Sequence, residues 1–356
     1  MAKVCLINNL YGDNAVGGAE IVVQARALEY KKKGDSVIVI TTKADKNPKI
    51  EKNNENGITV YRVWIPNIFY YKDLSKHGFV LKLIWHFIDI FKKPKAIEEI
   101  LVEEKPDVVE THNLMGIGYE FVPTGHLSSG RVHSSEFTGK WIHYLHDVQL
   151  VEPSGVLPWN HEKDNVWQRI YSGIMKRKFI GVGDVISPSR FLKKFYEERG
   201  FFKNAEWNVV VGNRHACSVQ RRQDVPNQKY LFVGSLVKHK GIRILMQAWD
   251  KVGGDKEFHI AGDGVLREEL ESWAYNKNNV KVYGRLEGED LESIYKKCST
   301  LIFPSICIEN NPTVIHEAHE HGLKVIASDT GGVREIVCED DILVEPGNIE
   351  ELVGKI

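Results

Sequence analysis

Two glutamates, Glu309 and Glu317, stand with seven residues between them in the segment SICIENNPTVIHEAHEHG, residues 305–322. An ionised carboxylate carries acceptor lone pairs and no donor, so such a pair suits the vicinal hydroxyls of a sugar ring or a ribose. Between them, Asn310-Asn311-Pro312-Thr313 reads as the start of a helix, with Asn311 as the cap, Pro312 at the first helical position and Gly322 as the stop. The first turn offers the N–H groups of Thr313, Val314 and Ile315 to an anion, aided by the helix dipole, which makes it a diphosphate site. Glu317 lies four residues after Thr313 and shares its face. Spacing alone fits a solvated loop carboxylate and an exposed helical one equally well.

These residues need a scaffold that ends strands in loops and restarts in helices. Short apolar runs at 4–7, 37–41, 107–110 and 142–146 alternate with helical-period segments such as 19–33. After a polar pause at 206–229 the theme resumes, with strands expected at 230–234, 258–261, 280–283, 300–304 and 325–328 and helices at 241–252, 265–276, 291–298 and 312–321. That alternation predicts an α/β chain of two Rossmann-like doubly wound domains facing each other across a cleft, 1–206 and 207–356. Ligands of such sheets bind at the carboxyl ends of strands. His146, beside Asp147 at the end of one strand, and His112-Asn113 at the end of VVETHN are therefore candidates. Gly17-Gly18 at the first helix either serves a tight turn or keeps side chains away from a phosphate.

The bulk properties narrow the classes. A chain of 356 residues with 42% hydrophobic residues supports two domain cores. A formal charge of −1, with no run of basic residues and aromatics that looks like a strand-binding platform, argues against nucleic acid as a partner. Cys5, Cys217, Cys298, Cys307 and Cys338 are scattered without a C-x-x-C, which reads as reduced thiols in small core positions. Neither a signal peptide nor a spanning helix is visible, so a cytoplasmic protein is expected. No G-x-G-x-x-G follows the first strand, against a nicotinamide or flavin cofactor, and no Asp-x-Asp occurs, so no metal is expected. Residues 68–95 carry six lysines against two aspartates among aromatics, which fits peripheral contact with an anionic membrane. The favoured alternative is a pair of helices with the apolar face against the first domain and the basic face in water.

Glu309 and Glu317, followed by Ala318, Gly322 and VIASDTGG, resemble the E-x7-E element of retaining glycosyltransferases, especially family 4. Lys240-Gly241 after YLFVGSL, Gly262-Asp263-Gly264, Gly17-Gly18-Ala19-Glu20 and the strand ending Tyr144-Leu145-His146-Asp147 resemble further elements of that family, in order, over about residues 3–350. The resemblance implies the two-domain GT-B architecture, with 1–206 on the acceptor side and 207–356 binding a nucleotide-sugar, most readily a UDP-sugar. It further implies that Glu317 holds the ribose, Glu309 the transferred sugar, Lys240 the diphosphate and His146 the donor sugar, with Gly17 and Gly18 below the phosphates. Residues 282–286, including Arg285 and Leu286, fall where relatives contact the base. The acceptor implied is a glycan or lipid-linked glycan, and the chemistry is retaining transfer without metal or cofactor. Two departures matter. Ser235 stands where many relatives have arginine, leaving Arg285 or Arg243 as substitutes, and Pro312 replaces a common glycine. Relatives also usually continue past the position of Ile356, so a truncated C-terminus is expected. An epimerase or hydrolase of similar fold and an inactive nucleotide-sugar-binding relative are the alternatives.

Overall fold

The computed structural model describes residues 1–12, 17–123, 139–211, 229–253 and 256–356. Most of the polar stretch in which the domain boundary was expected lies outside them. The chain divides into two compact units, 1–155 with 165–187 and 193–209, and 156–164 with 188–192 and 210–356. Two short segments inside 1–206 thus belong to the second unit.

The first unit is built on an eight-stranded sheet in the order β3-β4-β2-β1-β5-β6-β7-β8. Its strands are β1 (Lys3–Ile7), β2 (Ser36–Lys43), β3 (Ile50–Glu55), β4 (Ile58–Trp64), β5 (Val108–Thr111), β6 (Lys140–Tyr144), β7 (Asp184–Ser187) and β8 (Glu206–Val209). All pairings are parallel except β3 with β4. Val4 pairs with Val37 on one side and Val108 on the other, and the central strands are buried on both faces, as a sheet covered by crossover helices must be. The β3–β4 hairpin turns on Asn56 and Gly57, both at positive φ (53° and 77°), the conformation that the Asn-Gly pair favours.

Helix α1 (Gly18–Lys32) follows β1, and α2 (Phe79–Phe91), α3 (Lys95–Glu104), α4 (Val166–Lys178) and α5 (Arg190–Glu198) follow later in the chain. The reading of 68–95 as helices with an apolar face packed inward is corrected. In α2 the buried residues are Trp85, Asp89 and Ile90, whereas Phe79, Val80, Leu83, Ile84, Phe87 and Phe91 are exposed. Asp89 is buried because it serves the backbone: its carboxylate accepts from Gly116 N–H at 2.9 Å and lies 3.5 Å from Lys92 Nζ.

The second unit holds a six-stranded, all-parallel sheet in the order β11-β10-β9-β12-β13-β14. The strands are β9 (Lys229–Val233), β10 (Glu257–Ala261), β11 (Val280–Gly284), β12 (Thr300–Phe303), β13 (Lys324–Ser328) and β14 (Ile342–Val344). Helices α6 (Ile242–Trp249), α7 (Arg267–Ala274), α8 (Gly288–Lys297), α9 (Thr313–Glu320) and α10 (Ile349–Lys355) alternate with them. Two apolar layers flank the sheet, one around Phe232, Trp249 and Phe258, the other around Leu231, Tyr295 and Ile315. The chain runs outward from β9 through β10 to β11, then crosses back to β12 on the other side of β9. This makes the β9/β12 edge the topological switch point, the place where ligands of open α/β sheets bind.

Cys5, Cys298 and Cys307 are free and buried, as expected of small core residues. Cys338 is disulfide-bonded, which corrects the expectation of uniformly reduced thiols.

Candidate functional site

The loops after β9 and β12 bring together the residues with the clearest chemistry. Lys240 ends a short 3-10 turn (Lys238–Lys240), and Gly241 at φ +77° lets the chain enter α6 directly. A Cβ on Gly241 would sit 1.8 Å from the Pro304 carbonyl oxygen, so glycine is what lets the loop after β9 touch the loop after β12. Across that contact Lys240 Nζ donates to Glu309 Oε1 at 2.7 Å. Ser305 Oγ donates to the same oxygen at 2.7 Å and Cys307 Sγ lies 3.5 Å from it. Three donors on Oε1 fix the carboxylate and leave Oε2 without a donor among the described residues. Burial disfavours the Lys240 charge, but the Glu309 carboxylate outweighs it and raises the ammonium above its ordinary value. Cys307 is pushed up to about 12 by burial and by Glu309, so its thiol stays protonated.

A second loop, Asp329-Thr330-Gly331-Gly332, fixes the Glu309 backbone. Gly332 N–H donates to the Glu309 carbonyl at 2.7 Å, and a Cβ on Gly331 (φ +58°) would fall 1.9 Å from that carbonyl oxygen. Thr330 Oγ1 donates to the Cys307 carbonyl at 2.8 Å. The Gly262-Asp263-Gly264 loop supports the loop after β9 likewise, since added Cβ atoms on its glycines would lie 1.9 Å from the Gly234 oxygen and 2.6 Å from the Leu236 oxygen. Its glycines allow two backbones to meet.

Helix α9 starts at Thr313 with Pro312 as the cap residue and no side-chain cap, one residue later than the sequence suggested. Asn311 is not the cap; its Oδ1 pairs with His316 Nε2 at 2.6 Å. Asn310 is buried behind the turn. Ile315 N–H already bonds the Pro312 carbonyl at 3.2 Å, so of the three expected anion donors Thr313 and Val314 are the two not used within the described residues. Gly322 (φ +72°) follows the C-terminal His321 and ends the helix, as expected. Glu317 accepts from Tyr295 OH on α8 at 2.8 Å. The Tyr295 ring stacks on His321 with centroids 4.9 Å apart, and burial followed by the Glu317 charge raises its phenol.

Ser235 is exposed in the loop after β9. Neither proposed substitute for an arginine there is uncommitted: Arg243 makes a two-bond pair with Glu269 at 2.8 and 2.7 Å, and Arg285 pairs with Glu287 at 2.7 Å. Leu286 packs against the inner apolar layer that includes Ile315.

Gly17, Gly18 and His146 belong to the first unit. Gly17 caps α1 with extended torsions (φ −144°, ψ −175°) that do not themselves require glycine. Its N–H is taken by Glu20 Oε2 at 2.8 Å. His146 Nε2 lies 2.9 Å from His112 Nδ1, and Glu110 Oε1 lies 3.2 Å from His112 Nε2. Glu110 is wholly buried and also meets Arg26 through two bonds, at 2.9 and 2.6 Å, and Tyr30 OH at 2.7 Å. Burial alone would raise the Glu110 carboxyl, yet His112 and Arg26 hold it well below the usual range. Burial, His112 and His143 keep His146 neutral. Glu110, Arg26 and Tyr30 escaped sequence reading; the available signal was a carboxylate inside the apolar strand VVET.

Residues 218–356 match the family described as "Glycosyl transferases group 1". An uncharacterized 42.6 kDa protein in the cps region of Klebsiella pneumoniae is 27% identical over 340 residues, covering 94% of this chain and 87% of that protein. An uncharacterized glycosyltransferase of Methanocaldococcus jannaschii is 27% identical, covering 98% and 87%. The solved structure of Anabaena HepE with UDP and glucose superposes with a TM-score of 0.65 over 100% of this chain and 89% of that one, a likeness of fold at 18% identity. The family match falls within the second unit, whose main segment is 210–356.

Proposed function

We propose that the protein is a retaining, metal-independent glycosyltransferase that moves a hexose-type sugar from a nucleotide diphosphate sugar, UDP-linked by preference, to a glycan or lipid-linked glycan acceptor. The observation that carries this reading is the convergence of Lys240, Glu309 and the α9 turn on the β9/β12 switch point. Departure of the nucleoside diphosphate builds negative charge on its terminal phosphate, and a transfer site must place fixed positive charge and N–H dipoles there. Lys240 and the N–H groups of Thr313 and Val314 supply them. When the ammonium turns to phosphate, Glu309 is released to accept from sugar hydroxyls, while Glu317, oriented by Tyr295, accepts from the ribose. The C1–phosphate bond breaks, the acceptor oxygen bonds C1 from the same face, and its proton passes to the departing phosphate. No carboxylate serves as a covalent nucleophile.

A panel of nucleotides and nucleotide-sugars in EDTA, read by thermal shift on the wild type and Glu317→Ala, tests the donor site. One donor should raise the wild-type Tm by several degrees and the variant's by far less. A panel without response, or a response that requires added metal, contradicts the reading.

A further inference from the structure

Helix α2 is amphipathic in the wrong sense for a water-facing helix. At 100° per residue, Phe79, Val80, Leu83, Ile84, Phe87 and Phe91 fall on one arc, opposite Trp85 and Asp89; Ile90 shares the arc near the C-terminal end and is buried. That outward arc is exposed by 75% at Phe79, 66% at Val80 and 65% at Phe87, while the one carboxylate of the helix is 2% exposed. A continuous apolar face of this kind marks an interaction site.

We propose that this face docks on the surface of a bilayer containing anionic lipid. Charge selects that occupant. The surface charges within 68–95 are Lys72, Lys76, Lys82, Lys93 and Lys95 against Asp73, because Lys92 and Asp89 are buried together. Lysines flanking an apolar arc match anionic headgroups above an acyl region. They oppose pairing with a second copy, since a two-fold interface would bring the same lysines together. Thirteen residues make about 20 Å of helix, too short to cross a core of about 30 Å, so α2 lies in the interfacial plane. No described helix is long and apolar enough to cross a membrane. This inference does not depend on the proposed reaction.

The test is flotation of the whole protein with phosphatidylglycerol-containing vesicles and with neutral phosphatidylcholine vesicles. The wild type and two variants, Val80→Ser/Phe87→Ser/Phe91→Ser and Lys76→Glu/Lys93→Glu, are compared, with far-UV circular dichroism to check folding. The wild type should float with anionic vesicles and much less with neutral ones or in high salt. Both variants should bind about tenfold or more weakly, the lysine variant in line with roughly fivefold per lysine and the serine variant through lost apolar burial. No flotation of the wild type, or flotation unchanged in both variants, overturns the proposal. A concentration-dependent dimer lost in the serine variant, without vesicle binding, would assign the face to a second copy instead.

Discussion

At the residue scale the site is set by charges that burial makes expensive and partners make affordable. Lys240 and Glu309 hold each other at 2.7 Å. In the first unit the same economy produces neutral histidines. His143 lies 2.9 Å from Thr111 Oγ1, with its ring 4.6 Å from Phe179 and 6.0 Å from Phe202. Burial first, and then His112, lower it to about 3. Because its folded value is depressed, the unfolded chain takes up the proton first, and stability present above pH 6.5 is lost as pH falls toward 3. Between pH 7 and pH 5 that loss is about 2 kcal/mol. Urea unfolding of the wild type and His143→Phe at the two pH values should show the variant losing less by about that amount; equal losses would show that His143 titrates normally.

At the element scale, glycines decide whether the loops can meet. Gly241 combines φ +77° with a Cβ position 1.8 Å from the Pro304 oxygen, so Gly241→Ala must part the loops after β9 and β12. A loss of about 3 kcal/mol or more in urea unfolding is expected, from left-handed strain plus the clash. A change within about 0.5 kcal/mol, typical of a neutral surface site, would mean that the contact yields freely. Lys240-Gly241 and Gly262-Asp263-Gly264 were singled out by the family resemblance, and the capping signals at Asn311, Pro312 and Gly322 placed α9 within one residue. What the sequence left out is which backbone each glycine touches, because that depends on strand order. The start of α9 moved from Pro312 to Thr313 for a local reason: Asn311 is engaged by His316 and cannot cap.

At the scale of the whole chain, alternating strands and helices made two parallel α/β units legible. The misreading of α2 has a physical origin. Its strong apolar period is the normal mark of a face turned to the core, and sequence does not say that Asp89 would be drawn inward by the Gly116 N–H and Lys92. Glu110 was hidden in the same way, a charge within an apolar strand whose partners Arg26 and Tyr30 lie some eighty residues earlier. In the second unit, the β9/β12 switch point with Lys240 and the α9 turn is the proposed binding site for the diphosphate of a nucleotide-sugar. Amide hydrogen exchange with and without UDP-sugars tests it most directly. Slowed exchange at Thr313 and Val314 and in 234–241 is the predicted result; bound donor with protection confined elsewhere, or no protection at millimolar donor, would contradict it.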